Sequence, residues 1–290
     1  MQNILITGIS GQLGHELKGL SYTHSYKAYK FFLTGRSDLD ITNHEQVKRF
    51  FGENKIDCII NCAAFTGVDA AESETELAMN ANGYAVERLV AEAAENNARV
   101  IHVSTDYVFD GTNHKPYRED DQVNPVSVYG KSKLHGEKAV LDYPYGTVVR
   151  TSWLYSHVGN NFFNTIMKLA DERNELKVVY DQIGTPTYTR DVARALLGLA
   201  TKAIDENDPF CRGLYHYSNE GVCSWYDFAL AIISLTGKVC RVIPVESSEY
   251  PTPAVRPHYS VLNKSAIKSE LSISIPHWRE SLKNCISQLD

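Results

Sequence analysis

Tyr129 and Lys133 stand four residues apart in Tyr129-Gly130-Lys131-Ser132-Lys133. On a helix that spacing puts both side chains on one face, within reach of one cofactor and one substrate. A tyrosine with its ordinary pKa of about 10 exchanges protons poorly at neutral pH. A lysine ammonium beside it, together with a cationic cofactor ring, favours the phenolate and lowers that value. The pattern alone carries little, because chance supplies it; a second copy, Tyr26/Lys30, lies in a polar segment with no companion motif. Tyr129 differs in its company. Ser104-Thr105 ends an apolar run upstream, where a hydroxyl can bond a reacting oxygen and steer the tyrosine proton.

A second constellation is Gly8-Ile9-Ser10-Gly11-Gln12-Leu13-Gly14, which follows an apolar strand and opens a helix. Glycine permits the tight turn, a close approach of backbone to a pyrophosphate, and close packing of helix on strand. Free N–H groups at the helix start then face the phosphates. The spacing is GxxGxxG rather than the GxGxxG most associated with dinucleotides. An acid about 20 residues beyond such a turn suits the ribose of NAD, and an arginine suits the extra phosphate of NADP. Here the next strand ends Leu33-Thr34-Gly35-Arg36, with acids only later at Asp38 and Asp40. Arg36 favours NADPH and leaves NADH open; the alternative is a solvated surface arginine.

The elements that must position these groups alternate. Strands are expected at Ile4–Ile6, Tyr29–Leu33, Cys58–Cys62, Val100–Ser104 and Thr147–Val149. Helices are expected after the glycine turn through Leu20, after a capping box at Thr42-Asn43-His44-Glu45, over Glu76–Asn97 and over Ser127–Leu141. Such alternation predicts an α/β fold: a Rossmann-type, doubly wound parallel sheet with ligands beyond the carboxyl ends of its strands. Past residue 152 the pattern changes, with helices near Thr189–Lys202 and Ser224–Leu235 and with proline and aromatics rising. We read 1–152 as a dinucleotide-binding domain and 153–290 mainly as a smaller α+β substrate-binding region, with later segments returning to the first.

Composition excludes several classes. The 290 residues are 43% apolar and 22% charged, with net charge −6 and no basic run, which argues against nucleic-acid binding. No apolar stretch nears the roughly 20 residues that span a bilayer, and the N-terminus lacks a signal-peptide pattern. Six scattered cysteines form no CxxC pair, so neither disulfides nor zinc is expected. A cytoplasmic enzyme is the expectation. Among the remaining polar residues, His102 reads as a satisfied core histidine, Asn160-Asn161 as a helix cap and Glu72–Glu76 as a solvated acidic face. Trp153 on these grounds alone could be packing.

Glycine turn, strand-end hydroxyl and Tyr-x-x-x-Lys, in this order, resemble the extended short-chain dehydrogenase/reductases. The resemblance spans essentially the whole chain. It sharpens at Ala63–Glu72, Val103–Gly111, Arg150–Tyr155, Asp181–Thr187 and Ala254–Ser260, which are similar to the dTDP-4-dehydrorhamnose reductase family. That resemblance implies an NADPH-dependent reduction of a dTDP-linked 4-keto sugar in the making of a surface-polysaccharide precursor. It implies that Tyr129 donates a proton to the C4 oxygen, that Lys133 holds the nicotinamide ribose, and that Thr105 bonds the carbonyl oxygen. Gly8, Gly11, Gln12, Leu13 and Gly14 would cradle the pyrophosphate. Arg36, Asp40 and Ile41 would flank the adenosine end, with Ala63, Ala64 and Thr66 along the cofactor. Val68, Thr105, Asp106, Tyr107, Trp153 and Arg256 would meet the sugar nucleotide. Tyr107 stands where nucleotide-sugar dehydratases carry a glutamate, which disfavours dehydration. Some members form homodimers through carboxylates that share a divalent metal. Glu16 fits one such acid, but Arg190 replaces another, so Mg2+ is left undecided and no metal ligand is assigned. Two alternatives stay open: a non-catalytic regulatory subunit on the same fold, and a reductase of another nucleotide-linked 4-keto-6-deoxy sugar.

Overall fold

A computed structural model describes residues 1–205 and 213–289. Strand β1 (Gln2–Thr7) is followed by α1 (Gln12–Ser21), β2 (Tyr29–Thr34), α2 (His44–Glu53) and β3 (Cys58–Asn61). Next come α3 (Val68–Ser73), α4 (Thr75–Met79), α5 (Ala85–Glu95), β4 (Arg99–Thr105), α6 (Val128–Leu141) and β5 (Gly146–Thr151). The second half adds β6 (Leu154–Tyr155), α7 (Phe162–Glu172), β7 (Glu175–Val179), β8 (Ile183–Gly184), β9 (Thr187–Tyr188) and α8 (Thr189–Asp205). It ends with β10 (Gly213–Tyr217), β11 (Cys223–Ser224), α9 (Trp225–Thr236), β12 (Arg241–Val245), α10 (Ser265–Leu271) and α11 (Trp278–Ile286).

The main sheet runs β10-β5-β4-β3-β1-β2, with every neighbouring pair parallel. Its order reverses between β1 and β3, and such a switch point opens a crevice at the strands' carboxyl ends. Alternation along β1 builds both layers. Ile4 and Ile6 pack with Leu13, Leu17, Leu196 and Leu199 beneath α1 and α8. Leu5 points the other way, with Val47, Phe51, Val86 and Leu89 beneath α2 and α5. A third core, around Tyr155, Phe163, Phe228 and Trp278, organises the second half.

The sheet thus recruits β10 from the second half of the chain, beside β5. Other expectations needed correction. The single helix expected over Glu76–Asn97 is interrupted by a wider turn at Asn80–Tyr84, so α4 and α5 meet through a bulge. At α2 the cap is Asn43, whose Oδ1 accepts Gln46 N–H at 3.2 Å; Thr42 instead donates its hydroxyl to Asp40. Glu72 is not merely solvated: its Oε1 accepts Val128 N–H at 2.9 Å and so helps open α6. Asn161 does cap α7, and Ser127 caps α6. Each such cap is worth about 1 kcal/mol. The described cysteines are all free, and Cys211 lies outside the described residues. No helix among the described residues is long and apolar enough to cross a membrane.

Candidate active site

The carboxyl ends of β1 to β5 carry most of the residues singled out by sequence. After β1, Gly8 adopts φ +74°, which L side chains rarely reach. A Cβ on Gly14 would lie 2.2 Å from the Gly8 carbonyl oxygen, so the turn closes onto the first turn of α1 only with glycine there. No side chain caps this helix at Gly11, and its first backbone bond runs from His15 N to Gly11 O. The N–H groups of Gln12, Leu13 and Gly14 are therefore the ones a helix start presents outward. Gln12 also ties the turn to the second half, donating to Leu154 O and accepting from Asn161, both at 3.2 Å.

At the end of β2, the Arg36 side chain is 85% exposed and its Nε meets Asp40 Oδ2 at 3.2 Å. Partial burial works to raise the Asp40 carboxyl, but Thr42's hydroxyl and amide, with Arg36, bring it below the ordinary value. Ile41 is buried behind it. Past β3, Ala63 lies against Gly8, since a Cβ there would come within 2.7 Å of Ala63 N. Ala64 is half-buried, Thr66 exposed, and Val68 begins α3.

At the end of β4, Thr105 and Asp106 are buried and Tyr107 half-buried. Thr105 Oγ1 donates to Asp106 Oδ1 at 3.0 Å and also lies within bonding reach of the Tyr129 phenol. Tyr107 meets Tyr129 edge-on, ring centres 5.5 Å apart. Burial pushes the Asp106 carboxyl up to about 6, opposed by the Thr105 and Ser260 hydroxyls and backbone N–H groups. Among the described residues its Oδ2 has no hydrogen-bond partner. Burial likewise raises the Tyr129 phenol above its ordinary value, with Thr105 opposing and Asp106 and Tyr107 adding to the rise.

Lys133, one turn beyond Tyr129 on α6, is only 2% exposed. Its Nζ donates to Val103 O at 2.6 Å and lies 3.2 Å from His102 Nε2. Burial brings the amine down to about 8, against Glu137 and Cys62, which favour its charge. In this arrangement burial dominates, and the phenol stands above its ordinary value. The second copy, Tyr26/Lys30, spans a short turn and β2 and shares no helix face.

Trp153, just past β5, holds φ +49°, a strained value for a bulky residue, and such strain concentrates at ligand sites. Its indole stacks on Trp225, centres 3.5 Å apart and planes 6° from parallel. Arg256 comes from the second half and donates Nη2 to Asp69 Oδ2 at 2.7 Å. Glu16, the acid considered for a metal, lies instead against Ser156 (3.4 Å) and His157 (3.6 Å), and Arg190 donates to Gln288.

Sequence reasoning missed three supporting residues. Asn82 sits in the wide turn between α4 and α5, fully buried. It accepts Phe65 N–H (2.8 Å), donates to Phe65 O (3.0 Å) and donates to Ser132 (3.0 Å), fixing the loop after β3 against α6. A buried asparagine amid an Ala-rich helix was the available signal. Asp69 and Trp225 gave none, since each is defined by a partner far along the chain.

The RmlD substrate binding domain family model matches residues 1–290. A Bacillus subtilis relative, the spore coat polysaccharide biosynthesis protein SpsK, is 40% identical over 99% of this chain and 98% of its own. The dTDP-4-dehydrorhamnose reductase of Aggregatibacter actinomycetemcomitans is 40% identical over 98% of both chains. A solved dTDP-4-dehydrorhamnose reductase from Bacillus anthracis, in complex with NADP, superimposes with TM-score 0.92 at 35% identity, covering 99% of this chain and 100% of that one. With whole-chain agreement in sequence and fold, this chain belongs to the RmlD family of dTDP-4-dehydrorhamnose reductases.

Proposed function

We propose that this chain reduces dTDP-4-dehydro-L-rhamnose to dTDP-L-rhamnose, using NADPH. The observation that carries the reading is the Thr105–Tyr129 pair at the carboxyl end of β4, on the same edge of the parallel sheet as the glycine turn after β1. The glycine turn fits a dinucleotide, because a side chain at Gly8 would run into the Cys62–Ala63 backbone past β3 and one at Gly14 into the Gly8 carbonyl, so only glycines let the turn pack this closely. NADPH, when bound, supplies the hydride to C4. Tyr129 supplies the proton, from its O–H to the C4 oxygen, so that a ketone plus hydride and proton becomes a secondary alcohol. Burial keeps that phenol protonated until it is used.

Thr105 holds the phenol and shares the substrate oxygen. Lys133 holds the nicotinamide ribose, and Arg36 faces the 2′-phosphate with a guanidinium that is almost wholly in solvent. Val68, Asp106, Tyr107 and Trp153 surround the sugar, with Asp106 Oδ2 free to accept from a sugar hydroxyl. Arg256 supplies positive charge for the diphosphate. Tyr107 in place of an acid leaves no second carboxyl beside Asp106 for elimination of water.

The test follows NADPH absorbance with freshly prepared dTDP-4-dehydro-L-rhamnose, with NADH in parallel. Rapid oxidation with dTDP-L-rhamnose as product is expected. Cofactor binding without oxidation would overturn the substrate assignment and favour another keto sugar or a non-catalytic role.

A further inference from the structure

Ser104, Arg150 and His216 form a polar row across the neighbouring strands β4, β5 and β10. The register pairs Ser104 with Arg150 and Arg150 with His216, so their side chains share one face of the sheet. Helix α6 meets the row through Glu137. Its Oε2 accepts from Ser104 Oγ (2.8 Å), and both its oxygens accept from Arg150 Nε (3.1 Å each). Arg150 Nη2 also donates to Glu137 Oε1. The guanidinium lies over the Phe109 ring, Cζ 5.0 Å from the ring centre. Tyr117 O can only accept, so His216 Nδ1, at 3.1 Å, carries the imidazole hydrogen. His216 Nε2 is then left to accept from Arg150 Nη1 at 3.4 Å. Ser104, Glu137, Arg150 and His216 are 0–3% exposed.

A buried ion pair adds little net stability, because desolvation offsets the attraction and apolar residues of like volume often serve as well. What it supplies is direction, since a planar guanidinium fork meets two carboxylate oxygens in few arrangements. Glu137 stands one turn beyond Lys133 and about two beyond Tyr129 on α6, and Ser104 immediately precedes Thr105 on β4. The pair therefore ties the helix that carries the phenol to the strand end that carries the hydroxyl. We propose that Glu137 and Arg150 are positioning residues for Tyr129: by fixing α6 on β4 and β5 they set the phenol at Thr105. The opening of α6 is held separately by Glu72, and Lys133 Nζ has its own anchor at Val103 O. Loss of the ion pair thus falls on the phenol more than on cofactor binding.

This inference rests on Tyr129 as the proton donor, and the experiment separates the two. Turnover, NADPH affinity by fluorescence titration, and Tm are measured for Arg150→Lys and for Glu137→Leu combined with Arg150→Met. Each is made with and without Tyr129→Phe. Lysine keeps the charge without the fork, and the apolar pair leaves no unpaired buried charge, so both are expected to fold. Misplaced reacting groups predict a kcat lowered about 10- to 100-fold in the apolar pair and about three- to tenfold in Arg150→Lys. NADPH affinity stays within about threefold, and on Tyr129→Phe each change lowers kcat by less than about twofold, because the group it positions is gone. Equal losses with and without the phenol, or unchanged turnover in the folded variants, would overturn the inference and leave the active-site assignment standing. Wild-type turnover in Tyr129→Phe alone would overturn that assignment and the inference with it. Should the apolar pair fail to fold, Arg150→Lys decides the question in the same cycle.

Discussion

Arg256 reaches Asp69 across 187 residues of chain, Nη2 to Oδ2 at 2.7 Å. The other oxygen of the same carboxylate accepts Ala254 N–H at 3.2 Å, so the start of α3 holds the segment that delivers the arginine. Arg256 also lies against Tyr107 and lowers its phenol, though burial first raises that group. Partly exposed ion pairs contribute at most about 1 kcal/mol to stability, so placement of the guanidinium is the larger consequence. Arg256→Ala is expected to raise KM for the dTDP-sugar at least about tenfold, the size of a lost charged hydrogen bond, with Tm nearly unchanged. Asp69→Asn should raise KM less. Steady-state kinetics with an unaltered KM for Arg256→Ala would remove it from the diphosphate site.

Tyr129→Phe removes the proton donor while keeping the ring against Tyr107. Turnover should fall by about 10² to 10⁴, the usual worth of a general acid, with NADPH affinity nearly intact. Wild-type turnover in this variant would show that another group gives the proton.

Arg36 pairs with Asp40 and its side chain is 85% exposed, so its guanidinium is available to a 2′-phosphate. Arg36→Ala should raise the KM for NADPH by about tenfold and leave that for NADH nearly unchanged. A parallel rise for both cofactors would make Arg36 a bystander.

The Asp106 carboxyl, at about 6, predicts a pH dependence with a definite sign. On the proposed role, the carboxylate above that pH would accept from a sugar hydroxyl through Oδ2, and the protonated group below it would accept poorly. KM for the sugar nucleotide should therefore rise as pH falls through 6, and Asp106→Asn should flatten that limb. The folded value exceeds the unfolded value of about 3.9, so this group's contribution to stability is present below pH 4 and lost as pH rises through about 6. A KM profile identical in the two proteins would exclude Asp106 from sugar recognition.

Gly14→Ala places a Cβ 2.2 Å from the Gly8 carbonyl and 2.5 Å from Ile9 Cα, both backbone atoms that cannot step aside. Overpacking of this kind costs about 1–3 kcal/mol. NADPH binding should be lost and Tm lowered by several degrees; calorimetry showing an unchanged Tm would mean that the turn can open.

Much of the fold was legible because its signals are local. Apolar β1 followed by Gly8–Gly14 specifies a strand, a turn and a helix within about fifteen residues, and β1 to β5 announce themselves as apolar runs, as buried parallel strands do. Tyr129 and Lys133 share a face because helix geometry alone requires it. Thr105 joins them because a strand end and the following helix must meet at the same edge of the sheet. Those relations belong to the sequence by itself.

Tertiary structure decided the rest, because the remaining relations depend on groups far apart in the chain. β10 enters the sheet beside β5, and nothing in Gly213–Tyr217 distinguishes that partner from another. The cap at Asn43 rather than Thr42 followed from Asp40 claiming the Thr42 hydroxyl. Trp153's strained φ and its stack on Trp225 depend on a partner far along the chain. The Tyr129 phenol stands above its ordinary value because burial outweighs the Thr105 hydroxyl, while the Lys133 amine turns into the sheet toward Val103 O and His102. Spacing fixes which helix face a lysine occupies. What its amine touches depends on neighbouring strands, and only the assembled sheet supplies those.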